Sequence, residues 1–507
     1  MAAGARAVDD PRMPNAWRAQ LEDLLDAGLR DGSPADPFRV ALLRWAAETG
    51  RDADPDPLLT MLEQSVASGY GARRFRWHVP MGQWVPLENR RRWRTAEGEL
   101  AERHANDHAG RLWLPPLLVE HLTWLEELAA GPDASLASRA RMIADEALPT
   151  VEDVVAGSVT ARDTWGDTFL LWSFARSPRA LGQVRGLVLA LAARHAARAG
   201  RTRGIVHGRT FPFFDLPMAS ATAHLGTAST TLGEGLALVD AQLAFLRDAR
   251  RRDGGWGDPG QGSDILTTLA VARLLGSIDP SFDPGSAVEP LRDLAAASGR
   301  RPCAIGPEWP WLTAELVRYL RWAPLPFTER FRWPNVAPSA MDNRVGVPRF
   351  EGYLALADLF RAIPALGRGE VEVAFIDLAN FGKWNTNHGM ALGDELLALL
   401  TAQLRTVPES RTFRDGGDEF LLVGAPDAAR LQHDLEGLFA RWPAVCREAF
   451  PSLPVVPLRA VVSREQASNL RAARERQGVW IGVVKHEHPR PPDEGVIVRY
   501  EGTSAGR

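Results

Sequence analysis

Along the first 320 residues, apolar positions recur three and four apart, the spacing of helices that bury one face. Residues 16–30, AWRAQLEDLLDAGLR, carry this period. So do residues 37–50, where Asp36-Pro37 offers a cap followed by proline at the first helical position. From about Trp165 to Trp322 the helices are expected in repeating pairs. Thr222, Thr268 and Thr313 each open an apolar helical run, at spacings of 46 and 45 residues. A fixed period of that size predicts stacked helical hairpins, each needing its neighbours to cover its apolar face. Trp309 and Trp311 are read as core residues of this region, and Arg90, Arg91 and Arg92 as a solvated face or partner contact.

The pattern changes after residues 323–340, APLPFTERFRWPNVAPSA. Pro324, Pro326, Pro334 and Pro338 interrupt any helix there, which predicts an extended joint. Beyond it, Val371 to Asp377 alternate and then turn apolar, the pattern of a strand that ends buried and delivers Asp377 at its tip. A loop and an apolar helix over 395–405 follow. Residues 411–425, RTFRDGGDEFLLVGA, read as two strands around a tight turn, with Asp415-Gly416-Gly417 supplying the positive backbone angles and Asp418 and Glu419 immediately after. The expectation is a multi-domain chain. An all-α repeat domain over 1–322, with repeats from about 165, joins through 323–340 to an α/β domain over 341–507.

Composition narrows the function classes. The 507 residues carry 59 basic and 63 acidic side chains, so no large positive field marks the chain as a binder of nucleic-acid polymers. The two cysteines, Cys303 and Cys446, make neither a metal spacing nor a disulfide framework, which fits a reducing compartment. The most apolar run, 187–193, is far shorter than a membrane span, and the N-terminus lacks the apolar core of a signal peptide. A cytoplasmic protein is expected. Only two of the basic residues are lysines, Lys383 and Lys485, both in the last third of the chain. Lys485-His486-Glu487-His488, beside prolines, reads as a surface loop rather than a metal site.

The candidate chemistry lies where two strands bring Asp377, Asp418 and Glu419 together. Converging carboxylates repel unless cations sit between them, and magnesium prefers a few carboxylates plus substrate phosphates. Such a centre suits in-line phosphoryl displacement.

Gly416-Gly417-Asp418-Glu419-Phe420, with Asp377, Phe381, Asn385, Gly389, Gly393 and Asp394 at fixed spacings upstream, resembles the GGDEF domain of diguanylate cyclases. Asp342, Gly346 and Phe350 are similar to that family's opening turn and helix. The resemblance spans about 340–500 and implies an α/β fold related to polymerase palm domains. It also implies magnesium or manganese held by Asp377, Asp418, Glu419 and the Leu378 carbonyl. Asp377, Asp418 and Glu419 would form the catalytic centre. Asn385 and Asp394 would read the guanine edge, since a carboxylate can accept both guanine donors. Phe381, Gly416, Gly417, Lys383 and Lys485 would complete the substrate site, and the 378–382 loop would offer backbone N–H groups to the phosphates. Ala379, Gly382 and Met390 depart from the family pattern, and Val407 and Ser410 stand where its product-inhibition motif would be.

The implied reaction joins two GTP molecules into cyclic di-GMP with release of pyrophosphate, across a homodimer. Two alternatives stay open: a domain that binds GTP without turnover, as sensor or scaffold, and a cyclase with another cyclic product. Upstream, residues 241–264 end a helix in a Gly-rich turn carrying Trp256, which resembles the α/α toroid repeats of terpene cyclases and protein prenyltransferases. Arg250 replaces the usual glutamine there, and the Asp-rich protonation motif is absent. The helical domain is expected to receive a small-molecule or protein signal of unknown identity.

Overall fold

The computed structural model describes residues 13–31, 39–67, 75–78, 83–86, 114–131, 133–145, 219–233, 239–257, 262–297, 310–334 and 341–501. The sequence features at 90–92, 187–193, Cys303 and Trp309, and the start of the repeats near Trp165, lie outside them, as does the side chain of Trp311. The chain divides into two compact units. One comprises residues 1–229, 241–275 and 283–325, and the other residues 230–240, 276–282 and 326–507.

In the first unit, helices α1 (Met13–Asp31), α2 (Arg39–Thr49), α3 (Asp56–Ala67) and α4 (Leu114–Ala129) carry the expected helical period. A hairpin of β1 (Phe75–His78) and β2 (Gln83–Pro86) interrupts the helices and pairs Trp77 with Trp84, an addition to the all-helical expectation. Its alternating aromatic residues suit a pleated ribbon better than a helix. Helices α5 (Ala219–Leu232), α6 (Val239–Asp248), α7 (Ile265–Ile278), α8 (Val288–Ala297) and α9 (Pro310–Trp322) follow, the last residues of α5 and α7 and the first of α6 counting with the second unit.

Thr222, Thr268 and Thr313 each stand in the first turn of α5, α7 and α9, and all three are buried. Their common phase explains the period seen in the sequence. The described helices do not establish a closed toroid. The Gly-rich turn before α7 is built around Trp256, whose indole N–H donates to the Leu246 carbonyl at 2.6 Å. Thr268 closes the turn, accepting from the Trp256 N–H at 3.0 Å and donating to its carbonyl at 3.1 Å. Arg250 spans the same turn through the Gly254 carbonyl at 3.0 Å, and Gly254 supplies a left-handed φ of 81°.

The second unit is an α/β layer structure. Its elements are α10 (Phe350–Ala362), β3 (Glu370–Leu378), α11 (Phe381–His388), α12 (Met390–Leu404), β4 (Ser410–Gly416), β5 (Glu419–Gly424), α13 (Leu431–Ala449), β6 (Leu458–Gln466), α14 (Leu470–Glu487) and β7 (Val496–Tyr500). The sheet order is β4-β5-β3-β6-β7, antiparallel except for the parallel β6–β7 edge. Strand β3 is central and buried on both faces, which is why its alternation gives way to a continuous apolar run.

Ala374, Ile376 and Leu378 join Leu396, Leu400, Leu438 and Trp442 in the core on one face. The opposite face receives α10 and α14. There Tyr353 donates to the Leu470 carbonyl at 2.6 Å, and Gln477 donates to the Val373 carbonyl at 2.6 Å.

The described part of the proline-rich joint, residues 323–334, holds more structure than an extended linker; residues 335–340 lie outside the described residues. Pro326 stands just ahead of a single helical turn, Phe327–Arg330, a position where proline's missing N–H costs no intrahelical bond. Phe331 then stacks on Phe360, with ring centroids 5.5 Å apart. Arg330 donates to the Gly276 carbonyl at 3.0 Å. The apolar residues between the prolines hold the segment against the second unit.

Among the described residues, no helix is long and apolar enough to cross a membrane.

Candidate functional site

The site forms where β3 ends. Side chains alternate along a strand, so Val373, Phe375 and Asp377 share the face that α14 covers. Strand register sets Glu419 of β5 directly across from Asp377 on one side and Arg459 of β6 directly across on the other. Residues paired in this way point to the same face. A carboxylate is therefore flanked by a carboxylate and a guanidinium before any loop is considered.

Lys485, in the last turn of α14, completes the group. Its ammonium lies 2.9 Å from Asp377 Oδ1 and 2.8 Å from Glu419 Oε1. Lys485-His486-Glu487 belongs to the helix rather than to the surface loop expected from the neighbouring prolines. The helix stops at His488, just ahead of those prolines. Burial pulls the lysine pKa down, but its hydrogen bonds to Glu419 and Asp377 outweigh that, and the net shift is upward.

Arg459 makes three fixed contacts. Nη1 donates to Asp377 Oδ2 at 3.0 Å, Nε to the His488 carbonyl at 3.0 Å, and Nη2 to the Pro489 carbonyl at 3.0 Å. The Arg459 and Asp377 side chains are 5% and 4% exposed, whereas Lys485 is 38% exposed. The arginine is thus walled in, and the lysine reaches in from the rim.

The β4–β5 connection is tighter than expected. Gly416 pairs with Glu419, leaving Gly417 and Asp418 as the two turn residues, and only Gly417 of the two glycines has a positive φ, 47°. Asp418 stands on the turn itself. Its carboxyl is pushed up to about 6 by burial and by the neighbouring Asp377 charge. Neither Gly416 nor Gly417 has an atom within 4 Å of where a side chain would begin, so the turn is open. Arg414 steadies it, donating to the Gly417 carbonyl at 3.0 Å and to Asp342 Oδ2 at 2.9 Å.

Asp342 also caps the 341–348 loop, whose chain reverses at Gly346 with a φ of 69°. Arg344 of that loop lies 3.7 Å from Asp394, which is 43% exposed at the start of α12. Asn385 of α11 sits against Gly393, so closely that a Cβ there would come within 1.9 Å of Asn385 Oδ1. Asn385 Oδ1 is buried without a hydrogen-bond partner. Asn385 and Asp394 are thereby neighbours, tied through Arg344, Asp342 and Arg414 to the β4–β5 turn.

The other sequence-expected residues are distributed differently. Phe381 is buried in the core and anchors α11. The Leu378 side chain lies in the same core. Lys383 is exposed on α11, in the helix rather than in a phosphate-facing loop. Asn380 precedes α11 in left-handed geometry, φ 60°, and donates to the Pro489 carbonyl at 3.1 Å.

With Lys485 and Arg459 in place, Asp377 and Glu419, two of the four groups expected to hold magnesium with Asp418 and the Leu378 carbonyl, do not offer it a free pair of oxygens. Such an ion needs carboxylate oxygens at about 2.0–2.1 Å in near-octahedral geometry. Both Asp377 oxygens and one Glu419 oxygen already face nitrogen donors of Arg459 and Lys485. Among the described residues, no group of three or more His, Cys, Asp or Glu side chains is arranged to hold a metal.

Solved structures give a partial likeness. The chain is similar to the GGDEF domain of DgcB from Caulobacter crescentus in complex with c-di-GMP, at 16% identity over 32% of this chain and 98% of that one, with a TM-score of 0.29. It is similar to the coiled coil and GGDEF domain of the same protein at 14% identity, covering 32% and 86%, with a TM-score of 0.27. The GGDEF domain of PA1120 (TpbB or YfiN) from Pseudomonas aeruginosa aligns at 18% identity over 32% and 93%, with a TM-score of 0.24. Scores this low over the whole chain carry no functional weight. No family model matches the chain, and no curated protein matches it.

Three residues of the site escaped the sequence reading: Arg459, Arg414 and Arg344. Arg459 had one signal, a lone cation inside the otherwise apolar run LRAVV at 458–462. In a chain so rich in arginine, that signal is faint.

Proposed function

We propose that residues 341–507 form a GGDEF-type domain that binds a guanine nucleotide without condensing it, serving as a sensor or scaffold, with the helical residues 1–322 as its signal-bearing partner. One observation carries this reading. Arg459 and Lys485 hold both oxygens of Asp377, the carboxylate that two-metal condensation would need free. The neighbouring pair Asn385 and Asp394 supports guanine as the base. A carboxylate at Asp394 can accept two guanine N–H donors, and the unpartnered Asn385 oxygen awaits a donor.

A second reading, a magnesium-dependent diguanylate cyclase acting as a homodimer on two GTP molecules, is favoured by the complete Gly416–Phe420 signature on an open turn. It requires Lys485 to leave Asp377. A cyclase with another product stands on the same requirement.

Incubation with magnesium and each nucleoside triphosphate, read by mass spectrometry, separates the readings. No cyclic dinucleotide and no pyrophosphate are expected. Equilibrium dialysis should show GTP retained over ATP. Magnesium-dependent cyclic di-GMP, lost in Asp377→Ala, would establish the cyclase instead.

A further inference from the structure

The carboxylates at the end of β3 are already neutralised by side chains of the same chain. Asp377 and Glu419 contribute two negative charges, and Arg459 and Lys485 two positive ones, all within hydrogen-bond distance of Asp377 or Glu419. The two cations differ in how they are held. Arg459 spends three donors on Asp377 and on the carbonyls of His488 and Pro489, so it has no alternative place to go. Lys485 is partly exposed and bridges two carboxylates that no other cation among the described residues bridges.

We propose that Lys485 is the side chain that excludes divalent metal from this centre, with Arg459 as its fixed companion, so that the acidic group needs no metal. The inference concerns the same site as the proposed nucleotide binding and rests on its ion pairs, not on any bound nucleotide. A divalent ion entering between Asp377 and Glu419 would have to displace the ammonium and would still face the guanidinium across Asp377. Removing Lys485 leaves Asp377 Oδ1 and Glu419 Oε1 facing one another across the vacated position, with Asp418 nearby, a set of hard oxygen donors.

The test uses the full chain without nucleotide. Manganese is titrated in, and the free ion is followed by electron paramagnetic resonance. The wild-type protein and Asp377→Asn should give the same curve, reporting weak surface binding only. Lys485→Met, which keeps the apolar stem, should bind one manganese ion per chain on the order of a hundredfold more tightly, the scale set by removing a unit charge at contact distance. Magnesium should compete, and Lys485→Met with Asp377→Asn should lose the site. Circular dichroism checks that the variants fold. Tight manganese binding by the wild-type protein that disappears in Asp377→Asn overturns the proposal, and this comparison needs no lysine variant. A folded Lys485→Met that binds no more manganese than wild type overturns it as well. Because no nucleotide is present, failure of guanine binding leaves the outcome of this experiment intact.

Discussion

Replacing Arg459 with Met should destabilise the α/β unit far more than its single position suggests. The arginine is buried against Asp377 and two backbone carbonyls. Its loss leaves the Asp377 carboxylate with Lys485 alone, in a site too dry to rehydrate it. Breaking a buried pair from one side costs about 3–5 kcal/mol. Asp377→Asn should cost less, about 1–3 kcal/mol. The amide oxygen can still accept from Arg459, and the guanidinium keeps the His488 and Pro489 carbonyls. The double variant should cost less than the two single effects added, because it leaves no stranded charge. The shortfall measures the coupling.

Cys446 offers a local assay. It is buried in the core of this unit, and burial pushes its thiol up to about 12, so it resists alkylation while the unit is folded. Pulse alkylation of the full chain across a urea series, read at the Cys446 peptide, gives an unfolding midpoint for this unit. With a urea dependence of about 2 kcal/mol per molar, Arg459→Met should lower that midpoint by roughly 2 M. Equal single effects that simply add in the double variant would mean that Asp377 and Arg459 do not act as a pair.

Asp418→Asn tests the turn through pH. The folded Asp418 carboxyl titrates near 6 rather than its ordinary 3.8, so the stability it supports is full below the ordinary value and is lost as pH rises through about 6. The variant should match wild type near pH 4 and be the more stable at pH 7.5 in urea unfolding followed by tryptophan fluorescence, which needs no thiolate, and a reversed order would remove burial as the cause. Asp394→Ala should weaken GTP binding by about ten- to a hundredfold, while ATP binding barely changes; equal effects in dialysis would show that Asp394 does not read the base. Gly393→Ala should push Asn385 out of place, since the new methyl carbon would begin 1.9 Å from its oxygen. Loss of GTP binding with an unchanged Cys446 midpoint is the expected result, and unimpaired GTP binding would remove Asn385 from the site.

What the sequence revealed and what it hid divide along a physical line. Strand β3 was legible because period-two alternation running into an apolar stretch suits a strand entering a core and fits a helix poorly, and the observed strand, Glu370–Leu378, contains the expected 371–377. The helix expected over 395–405 overlaps most of α12, because its apolar positions repeat at the helical period. The Thr222, Thr268 and Thr313 period marks three helix starts because a repeated packing environment demands a repeated residue.

The cations that pair with Asp377 were not legible in the local pattern, because they follow from register, and Lys485 entered the site only through the family resemblance. Arg459 meets Asp377 only through the β3–β6 pairing, 82 residues apart in sequence, and Lys485 only through the path of α14 across the sheet. A local pattern shows which face a residue takes but not who stands opposite. Hence the acidic residues suggest a vacancy waiting for metal, while of the cations that fill it one carries almost no local mark and the other sits beside prolines that suggest a loop. The proline-rich joint shows the complementary limit. Proline reports what the backbone cannot form, whereas Phe331 on Phe360 is what holds that backbone in place.

The division of the chain has a further consequence for how it can be cut and made. Residues 230–240 and 276–282 belong with the α/β unit although they are flanked by stretches of the helical one. The two units are therefore interleaved along the polypeptide rather than strung in series. No single truncation separates them cleanly, and a fragment beginning at 341 leaves behind Phe331, the ring that covers Phe360. On the ribosome, residues 230–240 emerge long before the strands of their own unit, so they wait for some 130 residues of chain before β3 exists. A protease nick or frameshift late in the chain thus deprives residues 230–240 and 276–282 of the unit they pack with.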